Sequence, residues 1–273
     1  MQWETGIRLW RWGNAVSCLG VIQFLLLCWW ATAAYPGGTL VEHNTVGYSF
    51  SENFLSDLGR TVSWSGDSNT TAELLFTTGM VVLGLSIIPF FLFLPLHAPD
   101  RSTILWVAAV SGIGSALALI WIGLTPYDLY FEAHHTALFF WVVFLLAAVI
   151  LHAWALFSSE QSSSAFAFLS LALAMMIGFY LLRGMEFLFT VALGSASDAL
   201  ANFATMQKYV VLSAVAWYLV FGIRMVSTTD VRPSKRDATV DYTAEQFAAW
   251  LERGNWRVRR PAEGPRNRTP RSP

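Results

Sequence analysis

The side chains able to do chemistry fall in three short segments separated by long apolar runs. Asn53, Ser56, Asp57 and Arg60 stand in SFSENFLSDLGR, Ser49 to Arg60. Asp128, Glu132, His134 and His135 stand in DLYFEAHH, and Arg183 and Glu186 follow three residues apart. Asp57, His134 and His135 are the candidate catalytic groups, each able to serve as a general base. Ser56 with a histidine from another loop would make a nucleophile and base, but no nucleophile elbow or GxSG string occurs. Arg183 is suited to hold a phosphate or carboxylate group. Asn53, Ser56, Asp57, Asp128, Arg183 and Glu186 form the candidate binding set.

Each reading has a structural counterpart. Arg183 and Glu186 are neighbours on one helical face and can simply neutralise each other. Asp128, Glu132 and His135 recur about one helical turn apart, and Asp57, His43 and Glu186 are further potential ligands. A metal site needs three or four converging donors, and neither an HExxH string nor a Cys/His framework is present, so no metal or cofactor is expected. His97 and His152 read as incidental. Asn69-Thr70-Thr71 is formally a glycosylation triplet.

The elements that carry these residues are set by composition. The chain is 55% hydrophobic and only 13% charged, where a soluble chain carries about a quarter charged residues. Six apolar runs are each long enough to cross a hydrocarbon core: Val16 to Ala34, Leu74 to Leu96, Ile104 to Leu124, Thr136 to Phe157, Phe166 to Leu182 and Tyr209 to Val226. Each must be helical, because backbone amides in lipid need internal partners. Arg8, Arg11 and Arg101 flank one set of ends, and the intervening connections are acidic or neutral, with Arg60 and Lys208 as exceptions. Under the positive-inside rule both termini are cytoplasmic. The expected fold class is all-α: a polytopic membrane protein with six transmembrane helices and cytoplasmic N and C termini, multi-pass in the cell membrane. Residues 1–226 form the membrane domain, including an extracytoplasmic loop at 35–73. Residues 227–273 form a cytoplasmic, mostly disordered tail, with a short helix opened by Thr243.

Within this frame, Ser49 to Arg60 reads as an amphipathic helix with Phe50, Phe54 and Leu58 on one face and Asn53, Ser56 and Asp57 on a neighbouring one. Pro89 and Pro95 kink or end the second span. Ser111-Gly112-Ile113-Gly114-Ser115 reads as a helix-packing stripe. Cys18 and Cys28 are ten residues apart in one helix, too far for a disulfide. The tail arginines fit anionic headgroups rather than nucleic acid.

Tyr35-Pro36-Gly37-Gly38 and Asn53-Phe54-Leu55-Ser56-Asp57-Leu58-Gly59 resemble the opening of the six-helix prokaryotic membrane proteins grouped as domain of unknown function 998. Gly123 to Asp128 with His134 or His135, and Gln207-Lys208, resemble later strings of that family. The resemblance covers Val16 to Val226. A related Ile-Ser-Asp-x-Gly string marks the Frag/Sfk-type membrane proteins, which implies a lipid-related role by analogy. This chain departs from that group at Leu58 and in its histidine-bearing third loop. The expected function is binding or scaffolding of a lipid or small amphiphile at the extracytoplasmic face, with membrane lipids as partners and no nucleic acid. The alternative is a membrane-embedded hydrolase or transferase acting on a lipid or lipid-linked substrate at the outer leaflet.

Overall fold

The computed structural model describes residues 2–159, 162–192, 197–227, 231–233 and 256–258, with side chains for 8–159, 162–184 and 202–227. Six helices carry the chain: α1 (Gln2–Ala34), α2 (Thr70–Leu92), α3 (Ser102–Leu124), α4 (Phe131–Ser158), α5 (Ser164–Ala192) and α6 (Ser197–Ser227). Each contains a segment long and apolar enough to cross a membrane, so the chain is a multi-pass membrane protein. Successive helices pack on one another and α6 closes back onto α1, giving an up-and-down ring in chain order. Two short pieces of tail, β1 (Val231–Pro233) and β2 (Trp256–Val258), pair antiparallel. The tail helix expected from Thr243 lies outside the described residues.

Small residues set how closely the helices approach. A Cβ on Gly112 would sit 1.9 Å from the Phe91 ring, and one on Gly114 2.9 Å from Phe144. The stripe in α3 therefore packs against α2 on one side and α4 on the other. Phe90, Phe91, Trp217 and Tyr218 pack edge to face at the centre, with Phe221 tilted against Trp217. Pro89 lies inside α2, which ends three residues later, and Pro95 falls in a 3-10 turn at Leu94–His97. Cys18 and Cys28 are both free thiols.

The predicted helix over Ser49 to Arg60 does not form. Only Leu55–Gly59 is helical, as a single 3-10 turn, and Phe54 before it is extended at φ −70° and ψ 154°. Two polar side chains compete with helical hydrogen bonding here. Asn53 Oδ1 accepts the Ser49 N–H at 2.9 Å, and Asp57 Oδ2 accepts the Phe54 N–H at 2.9 Å. The supposed apolar face is split accordingly, with Leu58 fully buried and Phe50 52% exposed. Residues 35–69 instead fold as a compact loop over one end of the bundle.

Candidate functional site

The loop is organised around Asp57, which is 1% exposed. Its Oδ2 accepts from Asn53 Nδ2 at 2.9 Å and from the Phe54 N–H at 2.9 Å. Its Oδ1 accepts from Tyr127 Oη at 2.8 Å and Trp64 Nε1 at 3.1 Å. All four donors are neutral and the carboxylate's four acceptor positions are filled. Burial still holds this carboxyl above its usual value, with the four donors acting against that shift. Asp57 has no lone pair left to take a proton from a substrate, so its expected role as a general base is replaced by that of a hub. Arg183 is half-buried on α5, and the Glu186 side chain lies outside the described residues.

The loop is tied to α6, to the start of α2 and to the loop before α4. Gln207 Oε1 on α6 accepts the Leu55 N–H at 2.8 Å, while Lys208 Nζ donates to the Asn53 carbonyl and, at 3.0 Å, to that of Ala204. The same ammonium lies 5.1 Å from the Phe50 ring centre and 5.7 Å from that of Tyr48. Asn69, opening α2, donates from Nδ2 to the carbonyls of Arg60 at 2.9 Å and Leu58 at 3.1 Å. That amide is 1% exposed, so the formal glycosylation triplet is closed to modification in the folded state. Asp128 accepts from the Thr61 N–H at 3.0 Å, Thr61 Oγ1 at 2.7 Å and the Val62 N–H at 3.2 Å, pinning the loop to the α3–α4 connection. Gly38 makes the fit possible: its φ is +80°, and a Cβ there would sit 2.3 Å from the Ser65 nitrogen. The Arg60 guanidinium covers Trp64 at 3.8 Å from the ring centre.

The two adjacent histidines have different environments. His134 is 3% exposed, and its Nδ1 lies 2.7 Å from the Thr125 carbonyl at the end of α3. A carbonyl only accepts, so Nδ1 carries the proton and Nε2 keeps its lone pair. His135 is exposed and bonds the Phe131 carbonyl at 2.8 Å. Both imidazoles border the Tyr127 ring, with centroids at 5.7 and 6.3 Å, which links them indirectly to Asp57. Among the described residues, no group of three or more His, Cys, Asp and Glu could hold a metal ion.

Beneath the loop lies a narrow cavity of about 50 Å³. Ser56, His134 and Gln207 line it at the loop end, and apolar residues including Phe24, Met80, Leu119, Leu138 and Val215 form the rest. Its lining runs down α6 from Gln207 to Tyr218, about 16 Å at 1.5 Å per residue. Trp141 also lines it, and the buried Trp141 Nε1–H has no acceptor among the described residues. The candidate residues therefore divide: Asn53, Asp57 and Asp128 build the roof, while Ser56 and His134 face the space beneath it. Gln207, Trp64 and Tyr127 are the functional residues that periodicity missed.

A second polar cluster lies at the other end of the bundle. His97 Nδ1 and His152 Nε2 are 2.9 Å apart, and His152 Nδ1 lies 2.9 Å from Ser170 Oγ, which also accepts from Trp217 Nε1 at 2.9 Å. These histidines, read as incidental in sequence, join α4, α5, α6 and the turn after α2 through buried hydrogen bonds. Comparison with protein-family models, curated proteins and solved structures found no match.

Proposed function

We propose that this membrane protein binds a lipid or small amphiphile in the cavity beneath the 35–69 loop, at the extracytoplasmic face of the cell membrane. The observation that carries this reading is the cavity itself: a mainly apolar space with Ser56, His134 and Gln207 at its roofed end. An apolar lining with a few convergent polar groups suits an amphiphile whose head sits under the loop. The roof supports binding rather than turnover, because its carboxylates are committed to holding the loop. A single-chain amphiphile bearing a diazirine on its tail tests this. Photo-crosslinks are expected on 134–141 of α4 and 207–218 of α6, and labelling spread evenly over the lipid-facing helix surfaces would contradict the reading.

One observation favours the second reading, a hydrolase or transferase acting on a lipid or lipid-linked substrate at the outer leaflet. Ser56 and the basic Nε2 of His134 belong to the same cavity lining. Fluorophosphonate labelling of Ser56 that is lost in His134→Gln would support it, and an unlabelled protein leaves binding as the function.

A further inference from the structure

One polar side chain stands at a depth where the membrane offers it no partner. Gln23 lies on α1 two residues from Val21, the midpoint of the membrane-spanning segment Arg8–Ala34. Its amide oxygen and amide nitrogen are both shielded and have no hydrogen-bond partner among the described residues. Lipid supplies neither donor nor acceptor at that depth, so a polar group left there is costly. Ser17, six residues earlier on the inner face of the same helix, takes the ordinary solution: its hydroxyl donates to the Ser86 carbonyl at 2.6 Å.

The residues around Gln23 indicate what completes it. Trp12, Val16, Leu19, Gln23, Leu26 and Trp30 recur at alternating spacings of four and three residues, which places them in one stripe along α1. The five apolar members are 44–70% exposed and Gln23 is partly so. The bundle therefore leaves this stripe uncovered, although α1 packs on α2 and α6 elsewhere. Lipid accounts for the apolar members and not for an amide in their midst.

We infer that this face of α1 binds the same face of a second copy of the chain, forming a two-fold dimer in which the two Gln23 amides pair. Symmetry selects a copy over another partner. An amide carries both donors and an acceptor, so two glutamines related by a two-fold axis satisfy each other reciprocally, as an isologous contact requires. Copies in one membrane share the orientation their sequence sets, so their α1 helices run parallel and each residue of the stripe meets its own equivalent at the same depth. Spacings of four and three are those of a left-handed parallel helix pair, in which a single polar residue in the seam fixes the register. The glutamine side chain is long and freely jointed, and rotation about its bonds carries the amide from its shielded position to the seam.

Disulfide trapping in membranes of cells expressing the full chain tests this. Cys18 and Cys28 are replaced by Ala, and single cysteines are placed on the stripe (L19C, L26C) or at the exposed Val110 of α3 (V110C). Oxidation should give a covalent dimer of the chain for L19C and L26C and none for V110C. Dimerisation, read by energy transfer between labelled chains in liposomes, should weaken roughly tenfold in Gln23→Leu, as for the loss of an interhelical hydrogen bond. The unfolding midpoint of the dilute Gln23→Leu chain should not fall, since the amide it removes has no partner among the described residues. Seam cysteines that join only a different protein, or that stay unlinked while a membrane-soluble maleimide reaches them, would overturn the inference. So would a chain that stays monomeric at every protein-to-lipid ratio, or a Gln23→Leu dimer as tight as the parent.

Discussion

Asp57 is the residue on which the loop depends, and its donors fix what each substitution does. Asn in its place keeps one oxygen but turns an N–H₂ toward existing donors. Whichever way the amide faces, the Trp64 indole or the Phe54 N–H loses its acceptor. Asp57→Asn should cost about 1–3 kcal/mol in detergent unfolding, the range for one buried unsatisfied donor. Asp67→Asn, whose exposed carboxylate accepts from Ser65 Oγ alone among the described residues, should cost nothing measurable.

The pH dependence carries two opposed contributions. Burial raises the Asp57 carboxyl above 3.8, so the folded state holds this proton more tightly than the unfolded chain. Its contribution to stability is fully present below 3.8 and is lost as pH rises through the raised value. His97 behaves oppositely: burial, with His152 and Arg224 nearby, keeps its imidazole well below 6.5. Its contribution is present above 6.5 and is lost as pH falls below that. Unfolding midpoints measured from neutral to acid pH should therefore fall less steeply in His97→Gln and more steeply in Asp57→Asn than in the parent chain.

At the scale of elements, the loop and α6 work as one unit. Gln207 and Lys208 grip the main chain at Leu55 and Asn53, two residues apart, so the roof moves with the start of α6. Gln207→Ala should cost about 1–3 kcal/mol by leaving the Leu55 N–H unsatisfied. It should also loosen any bound amphiphile, read as a faster off-rate. Gly38→Ala should destabilise by at least about 1 kcal/mol, because alanine is strained at positive φ and its methyl group meets the Ser65 backbone.

The six spans and the packing role of Gly112 and Gly114 were legible because lipid admits no other solution for such apolar runs and small residues mark close helix approach. The loop was not. A repeat of Phe50, Phe54 and Leu58 every four residues satisfies a helix, but periodicity does not register that Asn53 and Asp57 take the backbone N–H groups a helix would use. Trp64 and Tyr127 were hidden for another reason: aromatic residues read as apolar, and their single donors matter only once a carboxylate is buried beside them. Gln207-Lys208 showed only through the family resemblance. His97 and His152, 55 positions apart, meet only once the helices are packed.

For the whole molecule, the bundle is a closed ring of helices with a roofed cavity at one end. The tail pairs with itself through β1 and β2, so deletion after Arg236 should leave a monodisperse membrane domain in size-exclusion chromatography. Orientation is tested with Cys18 and Cys28 replaced by Ala and single cysteines placed at the exposed Ser65 and Ser163. An impermeant maleimide should label the first in intact cells and the second only after permeabilisation.

The proposed function requires an amphiphile in the space beneath the loop. Native mass spectrometry of the purified full chain addresses it directly, comparing the parent with Ala214→Leu, which fills the cavity from α6. A single lipid-sized adduct is expected on the parent and absent from Ala214→Leu, with both proteins folded and of similar thermal stability. An adduct retained equally by both, or a parent chain that carries none after exposure to single-chain amphiphiles, would contradict it.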